Sequence, residues 1–378
     1  MRAVTDTLAP EGIPVQQPAL PTVAAGVPTP RQWELDALRL VAIAGVVAIH
    51  VVGMLVSNQD LQGTGRWWVA SIIDLGLTWV VPVFVMISGA LVLAPRAHAA
   101  GPLAFYRKRF VRIIPALVVW HLVYLFVVRI WLRGEHLGAR AVVLDLINTD
   151  IYTALYFLWL ILGLYAIAPV LAAFLAGGGR RRALIMAGVA LAWTHATYLL
   201  GAIAGVLGDP HPLPLNALDE WWPYVGLFLA GRALHRVVLS RRGMVIAALL
   251  GTASIAEVIW QFGRSPEVTE TLDRIVRVNR LGVVVAVAAI CLFVLAVGIG
   301  GRFTPRHRAA RVLRRLSDAS FGVFLVHLLI LAVIREALPA VEAATSLWVL
   351  LAAYVVVLVA SFAVSMGAAR LRYVRAVF

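Results

Sequence analysis

One stretch near the C-terminus reads LWVLLAAYVVVLVASFAVSMGAA, from Leu347 to Ala369, and contains no Arg, Lys, Asp or Glu. The stretch from Ala183 to Leu207 has the same property. About 20 apolar residues are enough for a helix to cross a bilayer. Of the 378 residues, 62% are hydrophobic and 14% are charged, against roughly 45–50% and about 25% in soluble domains. The sequence therefore predicts an all-α membrane protein and excludes a soluble enzyme, a disordered chain and a β-barrel, whose strands alternate.

Apolar segments of this kind recur along the chain, and they predict about ten transmembrane helices in one bundle. The sixth segment is the weakest of them because it is short and carries Arg232. The expected limits are 34–56, 69–94, 113–132, 152–176, 183–206, 220–238, 243–262, 280–300, 317–337 and 346–368.

Basic residues are concentrated in alternate loops, as at Arg107–Arg109 and Arg180–Arg182. By the positive-inside rule these loops and both termini are cytoplasmic, in a multi-pass protein of the inner (plasma) membrane. We expect a flexible Pro-rich cytoplasmic tail over 1–31, a membrane domain over 32–369 and a basic cytoplasmic tail over 370–378. The net charge of +14 is explained by topology and anionic lipid, so the bilayer is an expected partner and nucleic acid is not.

Ionisable residues in the first span are the strongest functional signal, because charge is costly inside a bilayer. Asp36 lies three residues before Arg39, so the two can pair on one helix face. His50 lies eleven residues after Arg39, which is three turns and about 16 Å along the same face. A guanidinium can hold phosphate or carboxylate, and a deeper histidine can move protons. The alternative is that Arg39 only reaches the interface and that His50 is a hydrogen-bonded core residue.

Two further pairs of residues are candidates for ligand binding. Ser88 and Gly89 end the run FVMISG, where a hydroxyl could donate a hydrogen bond and a glycine permits close approach. Arg109 and Arg112 are three residues apart, and arginine binds phosphate well through paired hydrogen bonds. The alternatives are helix packing for the first pair and a purely topological charge for the second.

His327 and Trp159 are additional candidates, although a lone histidine in the middle of a span is more often structural. The single cysteine, Cys291, lies in an apolar run, and without a Cys/His cluster we expect no metal site. Buried Arg, His and Asp would also suit a transporter or flippase of a glycan or other polar solute, although we find no inverted repeat. A membrane assembly factor is the third class.

Taken in order, these residues resemble the acyltransferase-3 family of integral membrane acyltransferases. Phe324 stands where the family often has Tyr, and Tyr156-Phe157 replaces a common Trp-Phe pair. The chain resembles the stand-alone members, and its middle region is similar to the members that O-acetylate surface polysaccharides. The matching segments are Leu35-Asp36-Ala37-Leu38-Arg39 with His50 (the family's Arg-x10-His pattern), FVMISG at 84–89, Arg109-x-x-Arg112 before Ile113-Ile114-Pro115, LYFLWL at 155–160 and FGVFLVH at 321–327.

The resemblance implies an acyl donor, usually acetyl-CoA, taken from the cytoplasm as a substrate, with no tightly bound cofactor. It implies as acceptor a sugar hydroxyl of a surface glycan, a lipid-linked glycan or a secondary metabolite, and proteins of glycan assembly as further partners. Arg109 and Arg112, with Ser88 and Gly89, would bind the donor. Asp36 would orient Arg39, and His50 would act as general base or carry the acyl group.

Overall fold

The computed structural model describes residues 31–209, 214–263, 280–302, 305–372 and 374–378. The chain divides after Gln32 into a short and a long unit. Of the short unit, only Arg31 and Gln32 are described, and neither belongs to a helix. The expected tail over 1–31 therefore lies, apart from Arg31, outside the described residues.

Within the described residues, the regular secondary structure of the long unit consists of helices without any strand, which confirms the predicted all-α fold class. Its helices are α1 (Trp33–Val56), α2 (Gly65–Leu75), α3 (Val80–Val92), α4 (Pro95–His98), α5 (Gly101–Leu122), α6 (Ala139–Ile147), α7 (Tyr156–Ala176), α8 (Gly179–Val206), α9 (Val225–Leu234), α10 (Arg241–Phe262), α11 (Val283–Gly300), α12 (His307–Ala337), α13 (Pro339–Glu342) and α14 (Leu347–Ala368).

Nine spans in the described part of the chain are long and apolar enough to cross a membrane, with α2 and α3 counted as one broken span. They correspond to nine of the ten predicted spans. The sixth is represented by α9, whose ten residues extend only about 15 Å. Arg39 near the start of α1 and Ala369 just after α14 line the same cavity. Because nine crossings would leave these two positions at opposite ends of the bundle, the short α9 segment must supply the tenth crossing. The cytoplasmic side of the bundle stays a prediction.

Helix α9 is held against α3 by two glycines that allow the backbones to touch. A Cβ atom added at Gly89 would collide with the carbonyl oxygen of Phe228, and one at Gly231 would collide with that of Met86. Small residues at helix crossings are the usual means of close packing in membranes, where no hydrophobic force drives the helices together. The short helix therefore depends on this contact for its place in the bundle.

The π-helix that follows α5 carries Tyr124, whose hydroxyl contacts α12. Helix α5 continues as a π-helix over Val123–Leu132. Within it, the Tyr124 hydroxyl donates to the Leu325 carbonyl at 2.7 Å and accepts from the Leu329 N–H at 3.1 Å. These two backbone groups would pair with each other in a regular helix. The hydroxyl of Tyr124, a residue that is 1% exposed, therefore bridges a backbone carbonyl and a backbone N–H of α12 in the turn that carries His327.

We expect Gly89→Ala to lower the free energy of unfolding by about 1–3 kcal/mol, because its methyl group must push the α9 backbone away from α3. Thermal unfolding of the purified protein in detergent measures this loss. Gly188→Ala on α8 is the matched control, since its Cβ would meet nothing within 4 Å. Equal midpoints for both variants would contradict the tight crossing.

We expect Tyr124→Phe to destabilise the protein by about 1–3 kcal/mol, because two buried backbone groups of α12 lose their shared partner. Tyr354→Phe is the matched control, since no hydrogen bond of its hydroxyl occurs within the described residues. The same thermal measurement applies, and a wild-type midpoint for Tyr124→Phe would show that Leu325 and Leu329 simply pair with each other.

Candidate active site

A cavity of about 730 Å³ opens between α1, α3, α5, α7 and α12. We call it the basic chamber, because its lining includes the side chains of Arg39, Lys108, Arg109, Arg112 and Arg375. The one acidic side chain that lines it among the described residues is Asp318, whose Oδ2 lies 3.6 Å from Nε of Arg314. The chamber is therefore suited to an anionic ligand.

The guanidinium groups of two arginines of α5 lie over aromatic rings. The guanidinium of Arg112 is 5.3 Å from the ring centre of Phe321, and that of Arg109 is 5.6 Å from that of Tyr165. A cation–π contact of this kind helps to hold a guanidinium in place and leaves its N–H groups able to donate hydrogen bonds. In the described part of the chain neither arginine forms an ion pair, so both can bind an incoming anion.

Arg39 is tied to α12 as well as to its own helix. Its Nη1 lies 3.9 Å from Oδ1 of Asp36, which confirms the predicted pairing. Its Nη1 also donates to Ser317 Oγ at 3.2 Å, and that hydroxyl donates to Asp36 Oδ1 at 2.7 Å. The Arg39 side chain remains 23% exposed and lines the chamber. Sequence reasoning missed Ser317, because the bridge joins residues 281 positions apart.

The deep end of the basic chamber is closed by aromatic rings. Phe157 lies 6.1 Å from Phe84 and 5.1 Å from Phe324, measured between ring centres, and all three rings line the cavity. Ser88 lines the cavity too, whereas Gly89 faces the α9 backbone. The structure therefore brings one residue of the predicted Ser88–Gly89 pair to the chamber.

Trp159 lines neither this chamber nor the second pocket described below. Its Nε1–H donates to Nε2 of His121 at 3.2 Å. Since that nitrogen accepts, Nδ1 of His121 carries the proton and donates to the Leu117 carbonyl at 2.7 Å. This chain of hydrogen bonds fastens α7 to α5.

His50 and His327 lie side by side beyond the aromatic rings. Their ring centres are 5.3 Å apart, and His327 is 6.0 Å from Phe324. Nδ1 of His327 is 2.7 Å from the Phe324 carbonyl, and a carbonyl can only accept, so this nitrogen carries the proton. Nε2 therefore bears the lone pair, and this buried atom has no hydrogen-bond partner in the described residues. An unpartnered imidazole nitrogen beside a second histidine is suited to accept a proton from a reacting group.

A second pocket of about 340 Å³ begins at His50. We call it the mixed-charge pocket. The side chains of Arg129, Arg133, Glu135, Asp150, Tyr152 and Arg335 line it. Sequence reasoning missed it, although Arg129, a cation inside the predicted third span, was a signal for it.

The ion pairs of the mixed-charge pocket are short. Arg129 contacts Glu135 Oε2 at 2.7 Å and Asp145 Oδ2 at 2.6 Å. Arg335 binds Glu342 through two hydrogen bonds of 2.5 and 2.9 Å, and these hydrogen bonds lower the pKa of the Glu342 carboxyl. The pocket is consequently polar and rigid but close to balanced in charge.

Tyr152 gives the mixed-charge pocket an aromatic face. Its hydroxyl accepts a hydrogen bond from Arg133 at 3.1 Å. Burial raises the pKa of the Tyr152 hydroxyl, so the group stays protonated and can donate to a ligand. The Tyr152 ring stacks on the Tyr124 ring with 4.5 Å between ring centres. The pocket wall is thereby in contact with the tyrosine whose hydroxyl binds the α12 backbone.

The two cavities lie on opposite sides of the histidine pair. Arg39 lines the basic chamber and His50 lines the mixed-charge pocket, although both belong to α1. Phe324 reaches the histidines from one side, and Leu328, next to His327, lines the pocket on the other. The predicted separation of three turns therefore places Arg39 and His50 in different cavities, with the buried His327 between Phe324 and His50.

Within the described residues, no group of three or more His, Cys, Asp or Glu side chains is placed to hold a metal ion. No curated protein and no solved structure matches the chain. A family model described as an acyltransferase domain matches residues 32–370, which is nearly the whole chain and includes both histidines and every cation of α1 and α5 in the chamber. The chain therefore belongs to the acyltransferase-3 family of membrane acyltransferases.

Proposed function

We propose that the protein transfers an acyl group, in the first place acetyl, from cytoplasmic acyl-CoA to a sugar hydroxyl. The acceptor would be a surface glycan, a lipid-linked glycan or a glycosylated secondary metabolite. The observation that carries the proposal is the His50–His327 contact: His50 lines the mixed-charge pocket, and His327 contacts Phe324, which lines the basic chamber. Two substrates that enter from opposite ends would meet at one pair of imidazoles.

The basic chamber suits the donor. The phosphates of CoA would contact Arg109, Arg112 and Lys108 near the mouth, because guanidinium groups bind phosphate oxygens in pairs. The pantetheine arm would extend past Ser88 toward Phe84, Phe157 and Phe324. Those rings would exclude water from the thioester, which protects it from hydrolysis.

The mixed-charge pocket suits an acceptor rich in hydroxyl groups. Carboxylates accept hydrogen bonds from hydroxyls and guanidinium groups donate to them, so a lining with both kinds can satisfy a polyol. The flat face of Tyr152 can pack on the apolar face of a sugar ring. Because the lining of this pocket contains both guanidinium groups and carboxylates, it favours a neutral sugar over a strongly charged one.

The reaction needs one base, and the imidazoles supply it. The acceptor hydroxyl gives its proton to His50 while its oxygen attacks the thioester carbonyl carbon. The new C–O bond forms, the C–S bond breaks, and the thiolate of CoA takes the proton from the imidazolium. The His327 ring, whose centre is 5.3 Å from that of His50, would be the neighbouring group to this imidazolium. A two-step route, in which His50 carries the acyl group in between, uses the same atoms and would leave a labelled protein intermediate.

We expect His50→Ala to reduce acetyl transfer by about 10²- to 10⁴-fold, which is the usual contribution of a general base. Membranes that contain matched amounts of the wild type or the variant are incubated with acetyl-CoA labelled in its acetyl group. The label is then measured in the glycan and lipid fractions. His136→Ala is the control, since His136 is exposed at the same end of the bundle.

The outcomes of this experiment separate the hypotheses. Equal transfer by both variants would remove His50 from the chemistry and leave the enzyme. Neither transfer nor release of CoA from a folded wild-type protein, offered a broad set of acyl-CoAs and glycans, would favour a transporter or flippase.

We expect Arg112→Gln to raise KM for acetyl-CoA about tenfold with a smaller change in kcat, because a hydrogen-bonded charge that binds donor phosphate is lost. Arg315→Gln is the control, since it removes the same charge from an exposed position of α12 that does not line the chamber. Steady-state kinetics over donor concentration test this. A fall in kcat alone would place Arg112 in the chemical step instead.

A further inference from the structure

The C-terminal segment Val374–Phe378 is packed into the mouth of the basic chamber. It begins with a short turn of 3₁₀ helix over Val374–Ala376. The Trp120 Nε1–H then donates to the Val377 carbonyl at 2.9 Å, and the Phe378 ring meets the Trp120 ring at 5.3 Å in an edge-on contact. Arg375 and Phe378 both line the chamber.

The helix opposite this segment is shaped to receive it. A Cβ atom at Gly322 of α12 would collide with Oγ of Ser365 and would lie 2.8 Å from Cδ1 of Phe378, so the missing side chain makes room for both groups. Phe378 thus contacts α5 through Trp120 and α12 through Gly322. The contacts fix the segment at two helices that also carry chamber residues, Arg112 and Phe321.

We propose that residues 374–378 form a C-terminal clamp that completes the donor site, in which Arg375 binds a phosphate of the acyl-CoA and Phe378 forms part of the wall beside the pantetheine arm. The clamp rests on the proposed function, since it needs a CoA donor in this chamber. Arg375 adds a cation to the cavity that Arg109 and Arg112 also line, so phosphates would be held by side chains of α5 and of the C-terminal segment together. The Trp120 bond to Val377 holds Arg375 at the mouth.

Binding of CoA to the purified full chain in detergent tests the clamp without turnover. We expect Arg375→Gln to weaken CoA binding about tenfold, the usual loss for one hydrogen-bonded charge, and to leave binding of phosphate-free pantetheine unchanged. Arg372→Gln is the matched control, because it removes the same charge from an exposed tail position that does not line the chamber. Phe378→Ala should weaken CoA to a similar degree and should weaken pantetheine as well.

A second measurement follows the segment itself. Trypsin cleaves after arginine, so release of the peptide Ala376–Phe378 reports access to Arg375. We expect CoA to slow this release in the wild type, while phosphatidylglycerol micelles without CoA should not, which separates the donor from a lipid phosphate.

Each result has one meaning. Equal CoA affinity in Arg375→Gln and Arg372→Gln, with wild-type binding intact, would overturn the clamp and keep the proposed function. Protection from trypsin by the lipid alone would also overturn it, in favour of a lipid site. A wild type that binds no CoA at all would overturn the donor assignment and the clamp together.

Discussion

The contact between α1 and α12 is the interaction on which the site depends. At one end Ser317 joins Asp36 to Arg39, and further along the same two helices His327 meets His50. The two contacts are eleven residues apart on α1 and ten on α12, so the helices run in the same direction and stay in register for about 15 Å. That register sets how far the cations of the chamber lie from the imidazoles.

Local features of the site could be predicted from the sequence. The Asp36–Arg39 pair follows from helical spacing, and the distance between Arg39 and His50 follows from the rise per residue. Most of the spans could be predicted because an apolar run of that length has few alternatives in a bilayer. The family resemblance rested on the order of several motifs along the chain, because no single residue identifies the family.

Features that need two distant segments could not be predicted in this way. The role of Ser317 depends on which face of α12 meets α1, and the mixed-charge pocket joins the π-helix, the segment before α7 and the end of α12. Gly89 was expected at the ligand together with Ser88, with helix packing as the alternative, but successive helical residues face different directions, and Gly89 faces α9. The length of α9 was overestimated because neighbouring apolar residues extend the hydropathy pattern beyond the helix.

The five cations of the basic chamber have a consequence for turnover. If CoA is held there by its phosphates, the acyl group contributes little to its affinity, because both free CoA and acyl-CoA carry the same phosphates. Free CoA would then bind the chamber almost as tightly as the donor and would compete with it. The enzyme would respond to the ratio of acylated to free CoA in the cell instead of to the donor concentration alone. Acylation of the acceptor would in this way follow the metabolic state of the cytoplasm.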